Sequence, residues 1–311
     1  MIVNVLKLIR YPNLIIIGLT QYLFRYCILF PIMKLEHIEP AMSHINFALL
    51  VLSTILIAAA GYAINDYFDI RSDRINRPDK IIVGRLLSRR IAILFHTIFN
   101  IIAILLGIYV SYKVGSFKLG AINIVISILL WLYSVKYKAY FLVGNIIISF
   151  ATAMTIIVIL LFDISALLSS GQMIITNKSL LEFFLWIYLL FAFMISLIRE
   201  IIKDIEDIEG DRKCGCSTIP VVIGIPKTKI ILLCLIAISV VALSYISYLS
   251  NIQHLKIIFW YLNIIVIIPF IYMGYIIYIS KNKADYGFLS NVAKFIMLAG
   301  VLSMTLIFNW I

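Results

Sequence analysis

The chain carries, at the end of a long apolar segment, the stretch Asn65-Asp66-Tyr67-Phe68-Asp69-Ile70-Arg71-Ser72-Asp73. Its carboxylates are spaced at i, i+3 and i+7, so on a helix they lie on one face over about 10 Å. Like charges stacked in this way repel each other and weaken a helix unless a cation lies among them. Carboxylate oxygens suit a hard divalent ion such as Mg²⁺, which often shares its shell with substrate phosphates.

The same spacing recurs at Asp204, Asp207 and Asp211, again at the end of a long apolar segment. One such motif could be a solvated helix end, but two motifs with matching spacing and depth favour a site. If the motifs face each other, six carboxylates form a strongly negative pocket. Such a pocket would bind cations that bridge to a diphosphate.

Composition places these motifs in a membrane protein. Hydrophobic residues make up 63% of the 311 residues and charged residues 13%, against roughly 45–50% and 25% in soluble domains. We therefore predict an all-α integral membrane protein with one domain over residues 1–311. Nine apolar segments approach the length of about 20 residues that a span needs; they lie near 13–33, 45–65, 91–111, 117–135, 139–162, 181–203, 229–250, 257–279 and 292–311.

The basic residues predict the orientation of these spans. The net charge of +11 is read as contact with membrane lipids rather than with nucleic acid. Of the 26 Lys and Arg residues, 20 fall in connections on one side, at 1–12, 66–90, 136–138, 199–229 and 280–294. By the positive-inside rule this side is cytoplasmic. The prediction is a multi-pass protein of the inner (cytoplasmic) membrane, with its N-terminus and both acidic motifs on the cytoplasmic face.

The two motifs close the second and the sixth span, and a long basic connection follows each of them. Spans 1–4 and 5–8 therefore suggest two four-helix repeats of the same orientation, with the ninth span added. This arrangement would bring the motifs to corresponding positions.

Polar residues beside the motifs are candidates for binding an anionic substrate. The predicted substrate-binding residues are Asn13, Asn65, Arg71, Arg77, Tyr133, Lys136 and Arg199. Two polar residues inside spans are interpreted differently. Arg25 is costly in lipid, and substrate contact and structural pairing are equally favoured for it. His96 is expected to be a packing residue.

The combined motifs resemble those of the UbiA-type intramembrane prenyltransferases. Both aspartate motifs, Ile75-Asn76-Arg77-Pro78 and Tyr133-Ser134-x-Lys136 are similar to family signatures, and the resemblance covers essentially the whole chain. It implies a polyprenyl diphosphate donor whose tail lies in an apolar tunnel, two Mg²⁺ ions, and a lipid-soluble acceptor. It also implies metal ligation by Asp66, Asp69, Asp207 and Asp211, and catalytic roles for Asp66, Asp69, Asp73, Asp204, Asp207, Asp211 and Lys203.

The acceptor is predicted from the stretch 199–212, which looks most like the branch that alkylates prenylglyceryl phosphates. Arginines in the loop after span 2, namely Arg71, Arg74, Arg77 and Arg85, are expected to bind the acceptor's phosphate. The alternative is an aromatic acceptor such as 4-hydroxybenzoate, on a quinone pathway. A cation-coupled transporter is a more distant alternative. The acidic residues of transporters usually lie near the bilayer midplane, whereas the motifs of this chain lie at the ends of spans.

Overall fold

The computed structural model describes residues 2–171 and 178–308, and helices dominate them. Nine helices within these residues are long and apolar enough to cross a membrane, as predicted. We label them α1 Tyr11–Leu35, α2 His44–Phe68, α3 Arg89–Lys113, α4 Phe117–Val135, α5 Val143–Ser169, α6 Ser179–Glu206, α7 Ile225–Ile252, α8 Lys256–Ile279 and α9 Lys283–Phe308. Shorter helices lie at Ile2–Leu8, Ile70–Asn76, Ile208–Lys213 and Ile219–Ile223.

Local capping explains why one boundary differs from the hydropathy pattern. The α9 helix begins at Lys283 rather than at residue 292. Asn282 and Asp285 form a capping box there, in which the side chain of each residue accepts a hydrogen bond from the backbone N–H of the other. The helix therefore starts in a polar stretch that hydropathy assigned to a loop. The predicted end of this span, residues 309–311, lies outside the described residues.

Two apolar clusters hold the bundle together. One contains Phe24, Phe47 and Phe162 and joins α1, α2 and α5 to α6 and α9. The other contains Phe270 and Leu289 and joins α6 to α7, α8 and α9. Many large apolar side chains on the outside of the bundle are exposed, as expected where lipid rather than water surrounds the protein. The fold is that of a multi-pass membrane protein.

The first helix is locally widened. Residues Phe24–Leu29 form a π-helical turn just before Pro31, where the proline supplies no N–H to the helix. This turn carries Arg25, whose side chain is fully buried and bonds Asp163 of α5 through two 2.9 Å hydrogen bonds. Of the two roles open for Arg25, the structure therefore shows structural pairing.

Candidate active site

Each carboxylate motif lies at a break in the helical path. Asp69 separates α2 from the short helix Ile70–Asn76, and Asp207 separates α6 from the short helix Ile208–Lys213. The backbone N–H of each of these aspartates still bonds the carbonyl four residues earlier, at 2.9 Å. We predicted that the three carboxylates of each motif lie on one face of a single helix. In the structure the middle carboxylate of each motif instead lies at a junction between two helices.

The two short helices dock directly against each other. The side-chain amide of Asn76 donates to the backbone carbonyl of Asp207 and accepts from the backbone N–H of Gly210, both at 2.9 Å. A Cβ atom at Gly210 would lie 2.3 Å from this amide, so the close approach requires glycine. Ser72 also lies within 3.5 Å of the Asp211 carboxylate. The structure thus brings the two motifs together.

Basic side chains from distant segments reach the first motif. Arg10 binds the Asp66 carboxylate at 2.8 Å, and its own backbone adopts the left-handed conformation (φ 51°) as the chain enters α1. Lys138 forms an ion pair with Asp69. Asn65 donates a hydrogen bond of 2.6 Å to the other oxygen of the Asp69 carboxylate. Both carboxylates are therefore held in fixed positions.

The second motif is held in a similar way, by contacts that cross between elements. Arg77 donates two hydrogen bonds to the carboxylate oxygens of Asp207, at 3.0 and 2.9 Å, and lies 3.2 Å from Glu206. Both hydrogen bonds come from the same nitrogen, Nη2, so a single charged donor is shared by the two carboxylate oxygens. One turn earlier, Asp204 accepts a 2.7 Å hydrogen bond from Asn145 at the start of α5.

Mutual repulsion is evident in the carboxylates that lie beyond the spans. Burial, followed by the charges of Asp69, Asp66 and Asp207, raises the pKa of Asp73 to about 7. Burial and the charge of Asp207 raise the pKa of Asp211 to about 6. Carboxylates of both motifs are therefore close enough to oppose each other's ionisation. A set of crowded oxygen donors of this kind fits a divalent cation.

A cavity of about 190 Å³ opens beside the motifs and extends between α1, α2, α4, α5, α6 and α9. Its polar lining includes Asn13, Asn65, Tyr133, Arg199 and Lys203. Further along the helices its lining is mostly apolar, with side chains such as Ile57, Ile126, Leu130, Met154 and Val158. The cavity could therefore hold a molecule with an anionic head and an apolar tail.

Two predicted binding residues do not join this arrangement. Arg71 is exposed and makes no side-chain hydrogen bond or ion pair within the described residues. Lys136 is also exposed, with its ammonium group 5.9 Å above the Tyr140 ring. Its neighbour Lys138 contacts Asp69 instead. The spacing of the two lysines did not indicate which of them faces the motif.

Sequence reasoning also missed buried partners within α6. Glu200 is buried, and it bonds Arg199 at 2.8 Å and Lys203 at 3.0 Å. The pattern Glu-x-x-Lys carries a signal for the Glu200–Lys203 contact, because residues three apart are neighbours on a helix. Arg10 had no comparable signal, since its partner Asp66 lies far away in sequence.

Comparison with known proteins identifies the class to which this fold and site belong. The model of the UbiA prenyltransferase family matches residues 37–299, so the chain belongs to the UbiA prenyltransferase family. It is a membrane prenyltransferase, which excludes the transporter alternative. Among its relatives, a digeranylgeranylglyceryl phosphate synthase from Methanosphaera stadtmanae is 30% identical over 82% of this chain and 85% of that protein. One from Methanosarcina mazei is 32% identical over 82% of each.

Solved structures support the same fold. A structure of a digeranylgeranylglyceryl phosphate synthase aligns over 98% of both chains, with a TM-score of 0.58 and 25% identity. A UbiA homologue from Aeropyrum pernix K1 aligns over 96% of both chains, with a TM-score of 0.63 and 16% identity. A homologue from Archaeoglobus fulgidus, solved bound to DMAPP and Mg²⁺, aligns over 97% of this chain and 99% of that chain, with a TM-score of 0.56 and 18% identity.

Proposed function

We propose that this prenyltransferase transfers a prenyl group from a polyprenyl diphosphate to geranylgeranylglyceryl phosphate. The observation that carries the proposal is the cavity, which begins beside the two facing motifs and has a mostly apolar lining further along the helices. This order suits a donor with a diphosphate head and an isoprenoid tail. The relatives from Methanosphaera stadtmanae and Methanosarcina mazei are digeranylgeranylglyceryl phosphate synthases, which supports this acceptor.

The proposed metal ligands are Asp66, Asp69, Asp207 and Asp211. Within the described residues, no three Asp, Glu, His or Cys side chains already converge as a metal site, but the crowded carboxylates around Asp73 fit one. The Mg²⁺ bound to the Archaeoglobus fulgidus homologue supports this reading. Bound Mg²⁺ would neutralise charge on the diphosphate and so favour its departure from the allylic carbon.

The chain's own residues would position the donor. Arg77 and Lys138 hold the Asp207 and Asp69 carboxylates in place. Beyond them, the Tyr133 ring lines the cavity, where its π face would stabilise developing positive charge on the prenyl carbon. The apolar lining would exclude water from this carbon. These roles would direct the reaction towards the acceptor rather than towards hydrolysis.

We also propose that both motifs face the cytoplasm and that the two junctions belong to four-helix repeats, α1–α4 and α5–α8. The distribution of Lys and Arg supports the orientation, and the matching breaks at Asp69 and Asp207 support the repeats. In a variant without native cysteines, single cysteines at Ser88 and Ser217 should react only from the cytoplasmic side. Labelling by an impermeant reagent in intact cells would overturn the orientation.

The test of the acceptor offers purified enzyme one labelled donor, geranylgeranyl diphosphate, with Mg²⁺ and three acceptors in parallel. The acceptors are geranylgeranylglyceryl phosphate, 4-hydroxybenzoate and a dihydroxynaphthoate. We expect turnover with the glyceryl phosphate alone, and none in EDTA. Turnover confined to an aromatic acid would refute the acceptor and leave the proposed use of the carboxylates standing.

A further inference from the structure

A cationic cluster lines the cavity on the side formed by α6 and α9. Arg199 and Lys203 come from α6, and Lys294 comes from α9. Lys294 lies close enough to the other two for their charges to repel its own. Its ammonium group forms no side-chain hydrogen bond or ion pair within the described residues. Like charges that line one partly buried cavity favour the binding of an anion there.

The charge around this cluster fits a phosphomonoester. Glu200, the single carboxylate among the residues that line the cavity, is shared by Arg199 and Lys203. Arg10 also lines the cavity, but its charge is balanced by Asp66. The other three cations against one carboxylate leave about two positive charges uncompensated. A phosphomonoester carries about −1.5 to −2 near neutral pH. A monoanionic carboxylate would leave part of this charge unbalanced.

We infer that Arg199, Lys203 and Lys294 bind the phosphate of the lipid acceptor, an assignment that rests on the proposed function. The sequence analysis predicted that Arg199 binds an anionic substrate, and the family resemblance implied a catalytic role for Lys203. In the structure, however, the motif carboxylates form their ion pairs with a different set of cations: Arg10, Arg77 and Lys138. The α6–α9 cluster forms none with them in the described part of the chain, so it is free for a second anion.

The loop arginines expected to bind this phosphate are placed elsewhere. Arg77 is bound to Asp207, and Arg85 donates to the backbone carbonyls of Pro78 and Asp79. Arg71 and Arg74 are exposed and are not among the residues that line the cavity. Of these two groups of cations, only the α6–α9 cluster lines the cavity. It is therefore the group available to a phosphate that shares the cavity with the donor.

The test measures binding without turnover, in EDTA, for wild type and for Lys294→Met. The ligands are geranylgeranylglyceryl phosphate and the uncharged geranylgeranylglycerol. Loss of one charge-assisted contact should weaken binding of the phosphate lipid roughly ten- to a hundredfold. Binding of the uncharged lipid should not change, and Lys294→Arg should restore most of the affinity for the phosphate lipid. The matched control is Lys281→Met, which removes an exposed lysine near the same end of the bundle.

Steady-state kinetics give the second readout. In Lys294→Met the KM for the phosphorylated acceptor should rise while the KM for the donor stays constant. Equal binding of the phosphate lipid by variant and wild type would overturn the inference. So would a rise confined to the donor's KM, because the cluster would then hold the diphosphate. Failure of the proposed function is a separate result, in which wild type transfers prenyl groups to no glyceryl phosphate lipid.

Discussion

The buried pair Arg25–Asp163 and the partly exposed carboxylate junctions are both charged, yet their charges are balanced differently. Arg25 and Asp163 are 0% and 1% exposed, and one positive charge meets one negative charge. Arg25 also donates to the backbone carbonyl of Met42 at 2.6 Å, and the Phe47 ring lies 4.3 Å from its guanidinium carbon. The charges in this region therefore balance each other without a ligand.

At the two carboxylate junctions, the protein's own cations do not pair with every carboxylate. Only three of the six motif carboxylates form an ion pair within the described residues: Asp66, Asp69 and Asp207. Asp73 is one of the unpaired three, and burial together with the charges of Asp69, Asp66 and Asp207 raises its pKa. A buried pair of opposite charges needs no ligand to balance it, although removal of one partner is costly. An excess of one charge near a cavity instead favours binding of the opposite charge. The comparison therefore separates a structural site from a functional one.

The largest expected effect tests the structural side of this comparison. Arg25→Met should lower the free energy of unfolding by about 3–5 kcal/mol, because Asp163 is left buried without its partner. Thermal unfolding in detergent measures the loss. The double variant Arg25→Met, Asp163→Leu should recover most of it, and turnover per folded molecule should stay close to wild type. A single variant as stable as wild type would contradict the structural role.

The next effect tests the functional side. Asp207→Ala should reduce the rate of prenyl transfer on the order of a hundredfold, since a few kcal/mol of transition-state stabilisation is lost. Its thermal stability should remain near that of wild type. The matched control is Asp79→Ala, which removes an exposed carboxylate in the adjacent loop. Near-full turnover in Asp207→Ala, or wild-type activity that persists in EDTA, would show that the junctions do not hold a catalytic metal.

The smallest expected effect is the pH dependence at the junctions. Folding raises the pKa of Asp73 from 3.8 to about 7 and that of Asp211 from 3.8 to about 6. The folded protein thus binds protons more tightly than the unfolded chain, so without metal its stability should fall as pH rises from about 4 to 7. Mg²⁺ competes with these protons, so its apparent affinity should increase on the order of tenfold over the upper part of this range.

Thermal unfolding at several pH values, with and without Mg²⁺, measures both trends. The stabilisation given by Mg²⁺ should be small in acid and larger above neutral pH. The same stabilisation at every pH would mean that the crowded carboxylates take no part in binding the ion. Asp79 supplies the control again, because its removal should leave the pH dependence unchanged.

Much of the fold followed from the sequence, because it depends on patterns within single helices. Apolar runs predicted nine spans, and the spacing of Asp66, Asp69 and Asp73 marked the site together with its copy at 204–211. The predictions about the fold that were wrong concerned features set by local polar contacts. The capping box at Asn282 moved the start of α9, and the breaks at the middle aspartates replaced one continuous helical face.

The sequence by itself determined that this chain spans a membrane, and it predicted that the chemistry centres on two sets of carboxylates. Length, hydropathy and residue spacing are local properties, so they can be read without knowledge of the packing. Only the tertiary structure decided which cations meet at the cavity. It selected Lys138 over Lys136, brought Arg10 to Asp66, and placed Lys294 beside Arg199. Such contacts depend on how helices far apart in the chain cross, and the periodicity of one helix carries no information about the face of another.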